Sequence, residues 1–171
     1  MPKNEANSIY AENVEYFHPS AFSADGAWSS TITTAVKNFY NKVFGSGATN
    51  VNSMYNLYGA IMTSGEYKGK FHEGVDIYSS NGSTIKSAHA GTATVGTTAG
   101  GQVAFNGLSP NRIYLHLSTS VTNPVIVGAK IGTQQAPYGH LHFEVNTKGT
   151  AQIPVPDSNT SMKSMKPYDY M

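Results

Sequence analysis

From residue 54 onward, glycines cut the chain into short β-like runs, near 54–61, 75–78, 84–88, 91–97, 101–105, 111–116, 124–127 and 141–147. Runs this short, rich in Val, Ile, Thr and Tyr and bounded by turn residues, form strands rather than helices. Within them, GTATVGTTAGGQVAF reads as two strands joined by a tight glycine turn. The 17 glycines and 11 tyrosines point the same way, and a hydrophobic share of 39% suffices for a packed core. A length of 171 residues fits one domain of ordinary size with an appended segment.

The first half of the chain has a different texture. Residues 1–28 are polar and irregular, with Pro19 and Gly26. A helix is expected over about 29–44: Ser29 or Ser30 can cap it, Ile32, Val36, Phe39, Tyr40 and Val43 recur at helical spacing, and Gly45 stops it. GSGATNVNS then reads as a linker. The expected organisation is an N-terminal segment over 1–53, a β domain over 54–155, and an extended polar tail over 156–171 that lies on the surface.

Charge and cysteine content exclude several classes. Charged residues make up 12% of the chain, the net charge is +1, and Arg112 is the one arginine. Neither a nucleic-acid surface nor an anionic-membrane surface is therefore expected, since both need clustered Lys and Arg. The absence of cysteine removes disulfides, thiol catalysis and thiolate zinc sites. A membrane helix needs a run of roughly 18 apolar residues or more. No run here approaches that, so membrane insertion is not expected. MPKNEANSIYAENVEYF has no apolar core of the signal-peptide kind, which leaves a cytoplasmic protein or a piece of a longer or processed chain.

The chemistry begins at FHEGVDIY, residues 71–78, which reads two ways. As a helix it is a zincin-like motif with Glu73 as base. As a loop entering a strand, it lets His72 and Asp76 share a metal. The helical reading needs i and i+4 side chains on one face, yet Gly74 and the β-branched Val75 and Ile77 disfavour a helix and nothing caps it. The loop-to-strand reading is favoured: Asp76 at the start of a strand, Val75 and Ile77 on the opposite side, and Gly74 bending the backbone so that His72 folds back.

Two ligands do not make a site, because catalytic zinc takes three protein ligands and keeps a fourth position for water. GHLHFEVNT supplies more: in a strand His140, His142 and Glu144 share one face while Leu141, Phe143 and Val145 face the core. Two imidazoles at alternating positions can reach one small region, one binding metal and the other lying beside it. IYLHLS adds His116 on a third β-like run.

His72-x-Gly74-x-Asp76, Tyr114-x-His116-Leu117-Ser118 and His140-Leu141-His142-Phe143-Glu144-Val145, in this order, resemble the lysostaphin-type (LytM-like) zinc endopeptidases of bacterial cell walls. Ala90–Val95 and Val127-Gly128-x-x-Ile131-Gly132 extend the resemblance to roughly residues 54–150. It implies a mainly β domain, an antiparallel sheet with a groove over one face, beside the short N-terminal helix. It implies Zn2+ held by His72, Asp76 and His142, with His116 and His140 as the catalytic pair. It also implies a peptidoglycan peptide as substrate, either stem peptide or cross-bridge, and a site of action outside the cell or in its envelope, where further domains of a longer envelope protein would be partners. TQQAPYGH stands where the family carries a longer glycine- and serine-rich loop, and the turn between Val103 and Ile113 is short.

Two rival readings remain: a non-hydrolytic envelope scaffold on the same fold, and a zincin-like peptidase using Glu73. Glu144, on the site-facing side, is either a hydrogen-bond partner of His140 or His142 or a plain surface glutamate. His89 is expected to be packing or rim, His18 inert, and Trp28 a packing residue of the N-terminal segment. Tyr138 is noted because it adjoins Gly139 and His140.

Overall fold

The sheet is organised around one strand, β8 (His140–Lys148), whose alternation sends Leu141, Phe143 and Val145 into the core at 0% exposure. The computed structural model describes residues 30–45, 72–148, 162–165 and 170–171. The expected run near 54–61, the linker beyond Gly45, His18 and Trp28 lie outside the described residues. Strand β1 (Gly74–Tyr78) pairs with one edge of β8, and β5 (Asn111–Leu115) pairs with the other. Strands β4 (Gln102–Phe105) and β3 (Thr94–Gly96) complete the antiparallel order β1-β8-β5-β4-β3.

A second antiparallel sheet has the order β2-β7-β6, formed by β2 (Thr84–Lys86), β6 (Leu117–Thr119) and β7 (Lys130–Gln134). Strands β6 and β7 are additions to the sequence reading, and the run expected near 124–127 is reduced to one bridge between Gly91 and Val125. Gly132 explains why β7 is weakly marked. An added Cβ there would lie 2.5 Å from the Ser118 carbonyl oxygen. Close pairing thus requires a residue that carries no strand propensity. The protein is mainly β, with two antiparallel sheets and one α-helix among the described residues.

That helix, α1 (Ser30–Phe44), buries Val36, Phe39 and Val43, the stripe its spacing predicts. Gly45 ends it in the left-handed conformation at φ 89°, with its N–H donating to the Asn41 carbonyl at 3.0 Å. The Phe39 ring lies 4.4 Å from Phe143 and 6.1 Å from Tyr114. Phe143 and Tyr114 point away from the His142 face, so α1 covers the back of the main sheet and shares one core with the strands.

His89 belongs to that core as a hydrogen-bonded packing residue. A carbonyl oxygen only accepts, which fixes the tautomer of the ring. His89 Nε2–H donates to Tyr170 O at 2.9 Å, and Nδ1 accepts the Tyr114 hydroxyl at 2.7 Å. The Tyr114 oxygen in turn accepts the Ala88 N–H at 3.0 Å. Burial lowers the His89 pKa and keeps the ring neutral, as that bonding requires. In the tail, β9 (Met162–Met165) pairs with Val145–Lys148, and Tyr170 and Met171 pack against the core.

Candidate metal centre

Strand pairing brings the spaced motifs together. Asp76 lies opposite His142 in the β1–β8 register, with Val75 and Ile77 buried at 0% and 1% on the other side. His72 precedes β1 and is itself buried. The segment 74–78 is a strand, so the i, i+4 geometry of a zincin helix is absent and Glu73 has no zincin-like place.

Three atoms converge. His142 Nδ1 lies 2.9 Å and His72 Nε2 3.1 Å from Asp76 Oδ1, and the two nitrogens are 3.2 Å apart. Hydrogen bonds can satisfy the two edges that end on the carboxylate. They do so only with N–H on both nitrogens, which then face each other across the third edge, whereas an N–H···N bond on that edge turns one lone pair toward the carboxylate, so hydrogen bonds cannot satisfy all three edges at once. A cation drawing on three lone pairs resolves that conflict. Ligand atoms about 2.0–2.1 Å from zinc in tetrahedral array are roughly 3.3 Å apart, close to this triangle. Two imidazoles and a carboxylate, all largely buried, therefore fit a zinc-like ion by donor type, spacing and charge.

Gly74 makes the triangle possible by a different route from the bend expected of it. Its φ is not in the left-handed region. An added Cβ would lie 2.5 Å from both His142 Nε2 and the Phe143 carbonyl oxygen, so the His142 ring occupies the space of the missing side chain. Glu144 closes the far side, its Oε2 3.8 Å from His142 Nε2 and its Oε1 accepting from Asn146 Nδ2 at 2.7 Å.

The electrostatics follow from this packing. Burial opposes charge on His142, but the bond to Asp76 and the Glu144 carboxylate prevail and raise its pKa to about 10. Burial would also raise the Asp76 pKa, yet the facing His72 and His142 hold it well below the usual carboxylate range. Without metal, His142 therefore carries a proton that a cation must displace.

His140 and His116 stand beside the triangle. The His140 Nδ1–H donates to the Tyr138 carbonyl at 2.7 Å, and Nε2 lies 3.6 Å from Asp76 Oδ1. With the proton on Nδ1, the neutral ring keeps its lone pair on Nε2. The His116 Nδ1–H donates to the Ala99 carbonyl at 2.8 Å, and its ring lies edge-on to His140 at 4.7 Å and to His142 at 6.0 Å. Burial lowers both pKa values, that of His116 to about 4, so both rings are neutral at pH 7.

His116 is not within a strand as its sequence run implies. It sits between β5 of the large sheet and β6 of the small one, at φ 70°. A non-glycine residue pays for this left-handed turn with Cβ strain. His116→Gly is expected to be about 0.5–1 kcal/mol more stable than His116→Ala, after allowing for glycine's greater freedom when unfolded. Denaturant unfolding of the two variants checks it.

No family model matches the sequence, and no curated protein matches it. Solved structures do. The catalytic domain of the antimicrobial peptidase lysostaphin from Staphylococcus simulans superposes with a TM-score of 0.54 and 18% identity, over 78% of this chain and 96% of that one. LytU superposes with a TM-score of 0.50 and 20% identity, over 73% of this chain and 88% of the other. The likeness shows the fold: this chain has the architecture of the lysostaphin catalytic domain.

Proposed function

We propose that this chain, built on the lysostaphin-type peptidase fold, is a zinc-dependent endopeptidase that hydrolyses peptide bonds of bacterial peptidoglycan, in the stem peptide or the cross-bridge. The observation that carries the reading is the buried His72–Asp76–His142 triangle with two neutral imidazoles beside it. His72 Nε2, Asp76 Oδ1 and His142 Nδ1 would hold the metal. Zinc, when bound, supplies Lewis acidity that makes water nucleophilic at neutral pH and polarises the scissile carbonyl.

The chain's own residues do the rest. Nε2 of His140 or of His116 takes the proton released as water adds to the carbonyl, which a neutral imidazole does well near pH 7. The imidazolium so formed stabilises the developing oxyanion or returns its proton to the leaving amine. The backbone carbonyls of Tyr138 and Ala99 hold the Nδ1 protons in place, so each ring acts through one nitrogen only. No side-chain nucleophile is needed.

Such a substrate places the enzyme outside the cytoplasmic membrane, in the envelope or beyond it, where other domains of a longer envelope protein are potential partners. Among the described residues no helix is long and apolar enough to cross a membrane. Digesting purified walls of defined cross-bridge chemistry, and weighing the soluble fragments, tests the reading. Zinc-dependent release of fragments carrying a new amine terminus supports it. A zinc-loaded protein that releases nothing from any wall type favours the scaffold reading.

The proton on His142 gives a linked pH expectation. Its folded pKa, about 10, lies above the unfolded value near 6.5. Its contribution to metal-free stability is therefore fully present below about pH 6.5 and is lost as pH rises toward 10. Asp76, shifted down, contributes above its unfolded value near 3.9, and that contribution is lost as pH falls through its folded pKa. Zinc affinity runs the other way between about pH 6 and 9, because binding must expel a proton. Thermal unfolding with chelator and with zinc should therefore diverge as pH rises, and calorimetry in buffers of different ionisation enthalpy should show proton release.

A further inference from the structure

We propose that Tyr138 is a positioning residue that fixes the plane of the His116 imidazole beside the metal centre. The proposal rests on the functional reading above for its catalytic consequence, and on geometry for the contact itself. The Tyr138 and His116 rings are stacked, with centroids 3.9 Å apart and planes inclined by 12°.

His116 needs such a support. It stands at a left-handed kink between two sheets, where the Gln135 N–H at 2.9 Å and Gln134 Nε2 at 3.1 Å donate to its backbone carbonyl and leave the ring plane to other contacts. The Ala99 carbonyl fixes one ring atom, Nδ1, at 2.8 Å. A ring held at one atom can still tilt about that point. A face-on aromatic contact removes the tilt, because any rotation out of plane drives the imidazole edge into the phenol ring.

Tyr138 is itself locked. Its N–H donates to the Gln135 carbonyl at 3.2 Å, and its carbonyl accepts the His140 Nδ1–H at 2.7 Å. Its ring packs against the backbone of Gly100, where an added Cβ would lie 2.6 Å from Tyr138 Cε2. Gly100 belongs to the 3-10 turn Thr98–Gly100 that also supplies the Ala99 carbonyl. One turn thus holds the His116 nitrogen with a carbonyl and seats the tyrosine ring on its glycine. The tyrosine touches both flanking histidines, His116 through its ring and His140 through its backbone. Side-chain substitution at 138 removes only the first of these contacts.

The test compares Tyr138→Ala and Tyr138→Phe in the zinc-loaded protein, with metal content, steady-state kinetics on a soluble peptidoglycan peptide, and NMR of the histidine ring protons assigned against His116→Ala. For Tyr138→Ala we expect kcat lowered by about 10- to 100-fold, the scale of a misplaced catalytic group, with KM changed by less than about threefold. Zinc content should be unchanged, and Tyr138→Phe should restore kcat, since the ring rather than the hydroxyl makes the contact. The His116 ring protons should lose their ring-current displacement in the alanine variant and keep it in the phenylalanine variant.

Wild-type kcat in Tyr138→Ala, or His116 protons that do not move, overturns the proposal while leaving the peptidase reading intact. If the wild type hydrolyses nothing, the peptidase reading fails. The His116 resonances then decide the positioning claim alone: displacement lost with alanine upholds it, and unmoved signals overturn it.

Discussion

Replacing Asp76 with alanine is expected to abolish zinc binding at stoichiometric metal and to reduce peptide hydrolysis below detection. Asp76 Oδ1 is the shared corner of the triangle, 2.9 Å from His142 Nδ1 and 3.1 Å from His72 Nε2. Without it two imidazoles remain as ligands, and Glu144, 3.8 Å from the far nitrogen of His142, offsets a divalent charge only at second hand. Loss of outer-sphere partners alone weakens metal sites by about 10- to 100-fold, so loss of this ligand should exceed about 100-fold. Asp76→Asn separates the causes: it keeps the volume and one acceptor oxygen but removes the charge, and it should fall between wild type and alanine. Chelator competition measures the affinities, and circular dichroism establishes that each variant is folded.

His116→Ala and His140→Ala should behave differently from that variant. Neither contributes a corner to the triangle, so both should bind zinc with near wild-type stoichiometry. Each removes a neutral imidazole from the reacting region, and a proton-transfer group is worth about 100- to 10,000-fold. The expected pattern is therefore zinc retained and hydrolysis lost, for each histidine singly. Glu73→Gln should retain activity within a few fold, because residues 74–78 form a strand and Glu73 has no zincin geometry. Activity lost with Glu73→Gln but kept in both histidine variants would reverse the assignment.

Much of this architecture was legible in the sequence because it depends on local alternation. HLHFEV declares a strand with one histidine face and one core face, and Leu141, Phe143 and Val145 are fully buried. The helix over Ser30–Phe44 was legible for the same reason, through its apolar spacing and its terminal glycine. Features set by distant packing were not. Strand β7 pairs closely only because Gly132 has no side chain, and glycine signals turns rather than strands. The left-handed kink at His116 arises where the chain changes sheets, which a run such as IYLHLS cannot announce. Gly74 reads as a bend but serves as space for the His142 ring, a demand created by a residue far later in the chain. The stacking of Tyr138 on His116, and the seating of Phe39 and His89 against Phe143, likewise exist only after the sheet has formed.

X-ray absorption at the zinc edge, combined with metal content per chain, bears most directly on whether these side chains form a metal centre. One zinc per chain is expected, in a shell of light nitrogen and oxygen atoms at about 2.0–2.1 Å with the scattering signature of two imidazoles. Replacing both His72 and His142 should remove it. A protein that takes up no zinc at neutral pH, or one whose zinc persists unchanged after both replacements, would contradict the assignment.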